Sequence, residues 1–211
     1  MRVSRQSFGL LAAVAALGAL GGMFAALQLR PTAPPAPALA AGTWLPTPRA
    51  VEPFALVDET GAAATLETLR GQPTLLFFGF THCPDVCPTT LALVAAARRK
   101  ANVRGLRVVL VSVDPERDTP ERLAAYVRAF DADFRALTGS AAEINRLARR
   151  LGVAAMRVPL PGGDYTIDHS AALLWLDRDA RLAAIFTPPL TLESLAADLA
   201  TLQARTTGTA Q

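Results

Sequence analysis

Two stretches of the chain, Thr74–Phe80 (TLLFFGF) and Leu106–Val113 (LRVVLVSV), are apolar at successive positions rather than at alternate ones. A strand of that kind is buried on both faces, as in the middle of a partly parallel sheet. Parallel neighbours need a crossover, and the intervening TTLALVAAARRK predicts a helix. Its last residues, Arg98, Arg99 and Lys100, place cations at the negative end of the helix dipole. After the second strand, Asp118 or Thr119 can cap a helix with Pro120 at its first position and Leu123, Tyr126, Val127 and Phe130 on its buried face. Ser140 and Glu143 have capping-box spacing, Ile144, Leu147, Ala148 and Leu151 repeat with helical period, and Gly152 suits a stop. The segments AALLWL and RLAAIF flank DRDA and predict an antiparallel hairpin, after which Leu192, Leu195, Leu199 and Leu202 define a closing helix. In front, Glu52–Leu69 predicts a small hairpin turning at DETG. The order β-α-β-α-α-ββ-α is that of a thioredoxin-like α/β sandwich, a central mixed sheet flanked by helices.

A different pattern precedes this domain. Phe8–Leu27 is an uncharged, apolar run bracketed by Arg2 and Arg5 on one side and Arg30 on the other. About 20 such residues span a bilayer core. Residues 1–30 therefore read as a signal-anchor helix. Residues 31–50, rich in proline and alanine, read as a stiff tether, residues 51–205 as the folded domain and residues 206–211 as a disordered tail. The "ALA" at Ala38–Ala40 offers a cleaved signal peptide as the competing reading. Both readings export the domain, and the arginines keep the N-terminus in the cytoplasm. The expectation is a single-pass protein of the bacterial inner membrane with its C-terminal domain in the periplasm.

Charge changes the picture only by exclusion. The chain has 21 Lys and Arg against 18 Asp and Glu. Four of the basic residues (Arg2, Arg5, Arg30, Arg49) precede Glu52, and every acidic residue lies at or after it, so the exported domain is near neutral. Without a basic stripe there is no case for nucleic acid as a partner.

The chemistry-bearing stretch is FGFTHCPDVCPTT, which holds Cys83 and Cys87, the only cysteines of the chain. Pro88 predicts that the regular helix begins near that residue with Cys87 close to the N-cap. Amides and dipole there are expected to ease ionisation of both sulfurs. Three intervening residues let both sulfurs face one ion, and leave a disulfide open as well. A metal held by two thiolates needs a further ligand, and the histidines are His82 and His169. His82 adjoins Cys83, so ring and sulfur tend to diverge. His169, in DYTIDHS, stands just before the hairpin strand, a place that faces the cysteine loop in thioredoxin-like folds. Two thiolates and one imidazole suit Cu(I), whereas structural zinc usually takes four protein ligands.

Three motifs, FGFTHCPDVCP (Phe78–Pro88), SVDPERDTP (Ser112–Pro120) and DYTIDHS (Asp164–Ser170), occur in that order. In combination they resemble the Sco (SenC) family of membrane-anchored copper chaperones, which help assemble the binuclear copper centre of cytochrome c oxidase. The resemblance covers roughly Pro53–Thr201. It implies Cys83, Cys87 and His169 as copper ligands, with Cu(I) or Cu(II) both open as the cargo. It also implies the copper subunit of the oxidase as acceptor, an upstream copper donor, and a thiol reductant that opens a Cys83–Cys87 disulfide. Asp85 and Asp168 match the motifs and are given a supporting role, Asp168 as an acceptor orienting the imidazole. Asp114 and Asp118 are read as capping and loop-shaping residues. The segment MRVPLPGG before Asp164 is shorter than in some relatives and lacks aromatic residues. The rival reading is a thiol–disulfide oxidoreductase in which Cys83 attacks a partner disulfide and Cys87 resolves it. That chemistry needs no histidine at position 169. A peroxidase and a module stapled by a structural disulfide are further alternatives.

Overall fold

In the computed structural model, residues 18–19, 21–22, 36–103 and 105–208 are described. The chain divides into two compact units, residues 1–35 and 36–211. Of the first unit only residues 18, 19, 21 and 22 are described, and they are helical. The rest of the run expected to be an anchor lies outside the described residues. Among the described residues no helix is long and apolar enough to cross a membrane.

The second unit is built on an eight-stranded sheet whose strands lie in the order β1 (Gly42–Ala50), β10 (Arg181–Phe186), β9 (Leu173–Leu176), β4 (Thr74–Gly79), β5 (Arg107–Ser112), β6 (Arg135–Thr138), β2 (Ala55–Asp58) and β3 (Ala63–Thr65). The two doubly apolar segments are its central pair, β4 (Thr74–Gly79) and β5 (Arg107–Ser112), parallel and in register from Thr74 opposite Arg107 to Gly79 opposite Ser112. Side chains alternate across a strand, so β4 sends Leu75 and Phe77 into one core and Leu76 and Phe78 into the other. Helices α1 (Val86–Lys100), α2 (Pro120–Arg128) and α4 (Leu192–Gly208) cover the first face through Leu91, Val94, Leu123, Val127, Leu195 and Leu199. Helix α3 (Ala141–Leu151) and the hairpin β2 (Ala55–Asp58)–β3 (Ala63–Thr65) cover the second. The predicted hairpin of β9 (Leu173–Leu176) and β10 (Arg181–Phe186) extends the sheet on the far side of β4.

Local signals behave as their chemistry requires. Thr119, not Asp118, caps α2 by accepting the Arg122 amide at 3.3 Å. Ser140 accepts the Glu143 amide at 3.2 Å, and Gly152 closes α3 in the left-handed region at φ 78°. The Glu143 carboxylate turns instead to Arg146, at 2.6 Å, so only half of the capping box forms.

Five segments differ from expectation. The helix after β4 begins at Val86 rather than near Pro88, because the amide that proline lacks belongs to the first turn, where it has no intrahelical acceptor. Residues 42–50, expected in the tether, form the edge strand β1 (Gly42–Ala50) paired with β10. An edge tolerates Pro46 and Pro48, which have no ladder hydrogen to give. A third parallel strand, β6 (Arg135–Thr138), lies between α2 and α3. Residues 206–208, expected in the tail, continue α4, and 209–211 lie outside the described residues. Beyond the main sheet, β7 (Ala155–Pro159) and β8 (Tyr165–His169) form a separate antiparallel ribbon that ends at His169.

Candidate metal centre

The site lies where β4 ends, α1 begins and the β7–β8 ribbon stops. Cys87 is in the first turn of α1 and points inward with Leu91 and Val94, so its side chain is 0% exposed. Cys83 is half-buried in the loop before the helix, and both thiols are free. The Cys87 amide donates to Cys83 Sγ at 3.4 Å, one of the first-turn amides finding a sulfur acceptor. Room for Cys87 comes from Gly79, where a Cβ would stand 3.0 Å from the sulfur.

His169 reaches the same place from β8. Its Nε2 is 3.2 Å from Cys87 Sγ, and its Nδ1 is 3.1 Å from the carbonyl oxygen of Ser170. A carbonyl only accepts, so Nδ1 carries the hydrogen and Nε2 presents its lone pair to the sulfur. Phe77 and Phe80 flank the ring edge-on, with centroids 5.9 and 5.8 Å away. The two sulfurs and one imidazole nitrogen all lie within 4.8 Å of one another, an arrangement able to hold a metal ion.

Electrostatics in this pocket are governed by burial. Desolvation pushes the Cys87 thiol well above its ordinary value, with the Phe80 backbone opposing and Cys83 adding to the rise. The expectation that the helix terminus would ease ionisation of both sulfurs therefore fails at Cys87, where loss of water is the largest influence and raises the thiol. Burial also lowers His169, against the Ser170 carbonyl and the charge of Asp168. Tyr126 is pushed up by burial, then by Cys87 and Cys83, and its hydroxyl is buried with no hydrogen-bond partner.

The remaining sequence candidates fall outside this triangle. His82 turns away: its Nδ1 is 3.2 Å from Thr81 Oγ1 and its Nε2 is 3.0 Å from an Arg122 nitrogen. Asp85 is the exposed N-cap residue of α1 and accepts from the Thr89 hydroxyl at 3.2 Å. Asp168 pairs with Met156 on the outward face of the ribbon and makes no hydrogen bond to the imidazole. Neighbours in a strand point to opposite faces, so the ring's acceptor is Ser170 instead. Asp118, 1% exposed, accepts from the Thr81 amide (3.1 Å), the Thr81 hydroxyl (2.6 Å) and Ser112 Oγ (2.7 Å), fixing the chain two residues before Cys83. Sequence reading gives no site role to Ser170, Tyr126 or Gly79. Tyr126 is legible only as a buried-face residue of α2, and Gly79 as a glycine inside a buried strand.

The sequence profile of the SCO1/SenC family matches residues 44–204. The chain belongs to the SCO1/SenC family. A curated SCO1/SenC relative, the mitochondrial SCO1 homolog 1 of Arabidopsis thaliana, is 38% identical over 68% of this chain, which spans 44% of that protein's length. Among solved SCO1/SenC structures, copper-bound ScoI of A. thaliana superposes with a TM-score of 0.70 at 34% identity, covering 74% of this chain and 99% of that one. Copper-bound ScoI of Bradyrhizobium japonicum gives 0.64 at 43% identity over 70% of this chain and 96% of its own. These similarities agree with the thioredoxin-like α/β architecture.

Proposed function

We propose that this protein is a membrane-anchored copper carrier. It takes up one copper ion, Cu(I) in the first instance, through Cys83, Cys87 and His169, and passes it to the copper subunit of cytochrome c oxidase as the binuclear centre is assembled. The observation that carries this reading is the convergence of three donors within 4.8 Å, although His169 is 82 residues from Cys87 in sequence. The copper held by the two ScoI relatives supports the choice of cargo. The donor set fits it too: two soft sulfurs and an imidazole suit a low-coordinate soft ion, and the group contains no fourth ligand of the kind structural zinc usually takes.

Uptake of the ion displaces the proton of the buried Cys87 thiol. Cys83 is the more accessible sulfur, so an acceptor's donor atom enters from its side and the ligands exchange in sequence. Oxidation of the pair by a partner disulfide, which leaves as a dithiol with two electrons and two protons, removes both sulfur donors; a thiol reductant restores them. The apolar N-terminal run holds the protein in the bacterial inner membrane with the 36–211 unit in the periplasm. A second reading, thiol–disulfide exchange on the acceptor's cysteines, is favoured by the half-exposed Cys83 sulfur receiving the Cys87 amide.

The test is an anaerobic Cu(I) titration of the reduced full-length protein in detergent against a competing chelator. One copper per chain is expected, held more weakly by His169→Ala, lost in Cys83→Ser and Cys87→Ser, and unchanged in His82→Ala. Binding indifferent to His169 overturns the three-donor reading. Failure to bind, combined with catalysed reduction of a test disulfide, transfers the function to exchange.

A further inference from the structure

The imidazole is carried by a ribbon that is no part of the main sheet, and an isolated two-stranded ribbon is at best marginally stable in water. Ile167, 8% exposed, packs into the core with Ala155 and Tyr165 against it, and the rest of the ribbon's placement comes from the polar groups it is pinned to. At its base, Ala154 and Ser170 exchange hydrogen bonds of 3.2 and 3.0 Å. At its far end the attachments converge on one short segment, Asp114–Arg117. The Tyr165 hydroxyl donates to Asp114 at 2.8 Å, and Arg117 donates to the Tyr165 carbonyl at 3.1 Å and to Asp164 at 3.2 Å. Arg117 and Arg157 each stand 3.8 Å from the centroid of the Tyr165 ring, which only opposite faces of the ring can accommodate, and Arg157 pairs with Glu116 at 2.6 Å.

Asp114 is 1% exposed and is locked to Arg117 Nε at 2.5 Å. Its carbonyl accepts the amide of Asp118 at 2.9 Å, and Asp118 grips Thr81 beside the thiols. A single turn of chain thus holds both halves of the site. Tyr165, Ile167 and His169 share one face of β8, so the clamp on Tyr165 lies about 13 Å along the strand from the imidazole.

We infer that Asp114–Asp118 is a brace that sets the separation of thiols and imidazole, with Tyr165 and Arg117 as positioning residues acting through His169. The inference rests on the proposed copper reading for its consequence, but its geometry can be tested without metal. In the copper-free full-length protein, Tyr165→Phe removes the hydroxyl bond to Asp114 and retains the ring. Amide hydrogen exchange at Thr166–His169 should quicken while the amides of α1 keep their protection.

With copper, Tyr165→Phe should weaken Cu(I) by about 5-fold, the scale set by one lost hydrogen bond, and should do nothing in a His169→Ala background. Arg157→Gln, at an exposed side chain that opens one face of the ring, gives the same pattern if the first variant fails to fold. Unchanged ribbon exchange overturns the brace whatever the copper data say. Equal weakening in both backgrounds overturns action through His169. If the parent itself takes up no copper, the proposed function fails, and the exchange result alone decides whether the brace exists.

Discussion

Replacing Gly79 by alanine tests whether the position of Cys87 is set by packing. A Cβ there would lie 3.0 Å from Cys87 Sγ, 3.0 Å from Phe77 Cε1 and 3.1 Å from Leu110 Cδ1. All three neighbours are essentially without exposure, so none can swing into solvent. Overpacking of a filled core costs about 1–3 kcal/mol, against about 0.5–1 kcal/mol gained by removing glycine's freedom in the unfolded chain. The midpoints of these two ranges leave a net loss of about 1 kcal/mol, or roughly 2–4 °C in the melting midpoint of a domain of this size. Cys87 Sγ is one of the atoms that must yield, so Cu(I) affinity should fall with stability, by about 10-fold for about 1.4 kcal/mol of lost ligand geometry. Urea unfolding of the copper-free protein and chelator competition on the same preparation read the two effects separately. A variant as stable and as tight-binding as the parent would refute the claim that Gly79 makes room for the sulfur. A destabilised variant with undiminished affinity would refute only the link to Cys87.

Two further predictions concern the frame around the site. Asp198, 1% exposed on α4, accepts the amides of Ala40, Ala41 and Gly42 at 2.6, 2.8 and 2.9 Å; Asp198→Asn, which leaves one acceptor oxygen for three donors, should cost about 3 kcal/mol in urea unfolding, and an unchanged midpoint would contradict this. Asp58 is held below its ordinary carboxylate value, chiefly by the Thr60 hydroxyl. The lowered folded value means that its contribution is present above the unfolded pKa of about 3.9 and is lost as pH falls through the folded one. Asp58→Asn should therefore flatten the acid limb of stability against pH while leaving its shape near neutrality intact.

The elements legible in the sequence were those whose apolar pattern persists over several residues. β4 and β5 announce themselves because both faces are buried, and α2 and α3 because caps and period agree. β6 offers only RALT, and the β7–β8 ribbon mixes Arg157, Thr166 and Asp168 with apolar residues, since one of its faces meets solvent. Its existence is a tertiary fact. The error at Asp168 follows from that: once 165–169 is known to be a strand, period-two alternation alone denies Asp168 the face that His169 uses. The buried state of Cys87 was within reach of the sequence, because Cys87, Leu91 and Val94 share a helical face. The orienting Ser170 carbonyl was not, because a backbone acceptor leaves no trace in residue identity.

Burial also bears on which state of the site the protein favours. A buried corner penalises net charge, and desolvation raises the Cys87 thiol and lowers the His169 imidazole, favouring the neutral form of each. Exchanging the Cys87 proton for Cu(I) leaves the charge of that buried corner unchanged, whereas a bare thiolate there would have to be stabilised by the first-turn amides alone. Any surplus negative charge from the second sulfur falls on Cys83, the half-exposed member of the pair. On the proposed reading, the asymmetry of the two cysteines therefore has a purpose: the buried sulfur and the imidazole provide retention, and the half-buried Cys83 sulfur provides the opening for transfer. A symmetric pair would compromise one of the two. Both sulfurs buried would close the path by which an acceptor's donor atom enters, and both exposed would leave the ion to competing thiols in solvent.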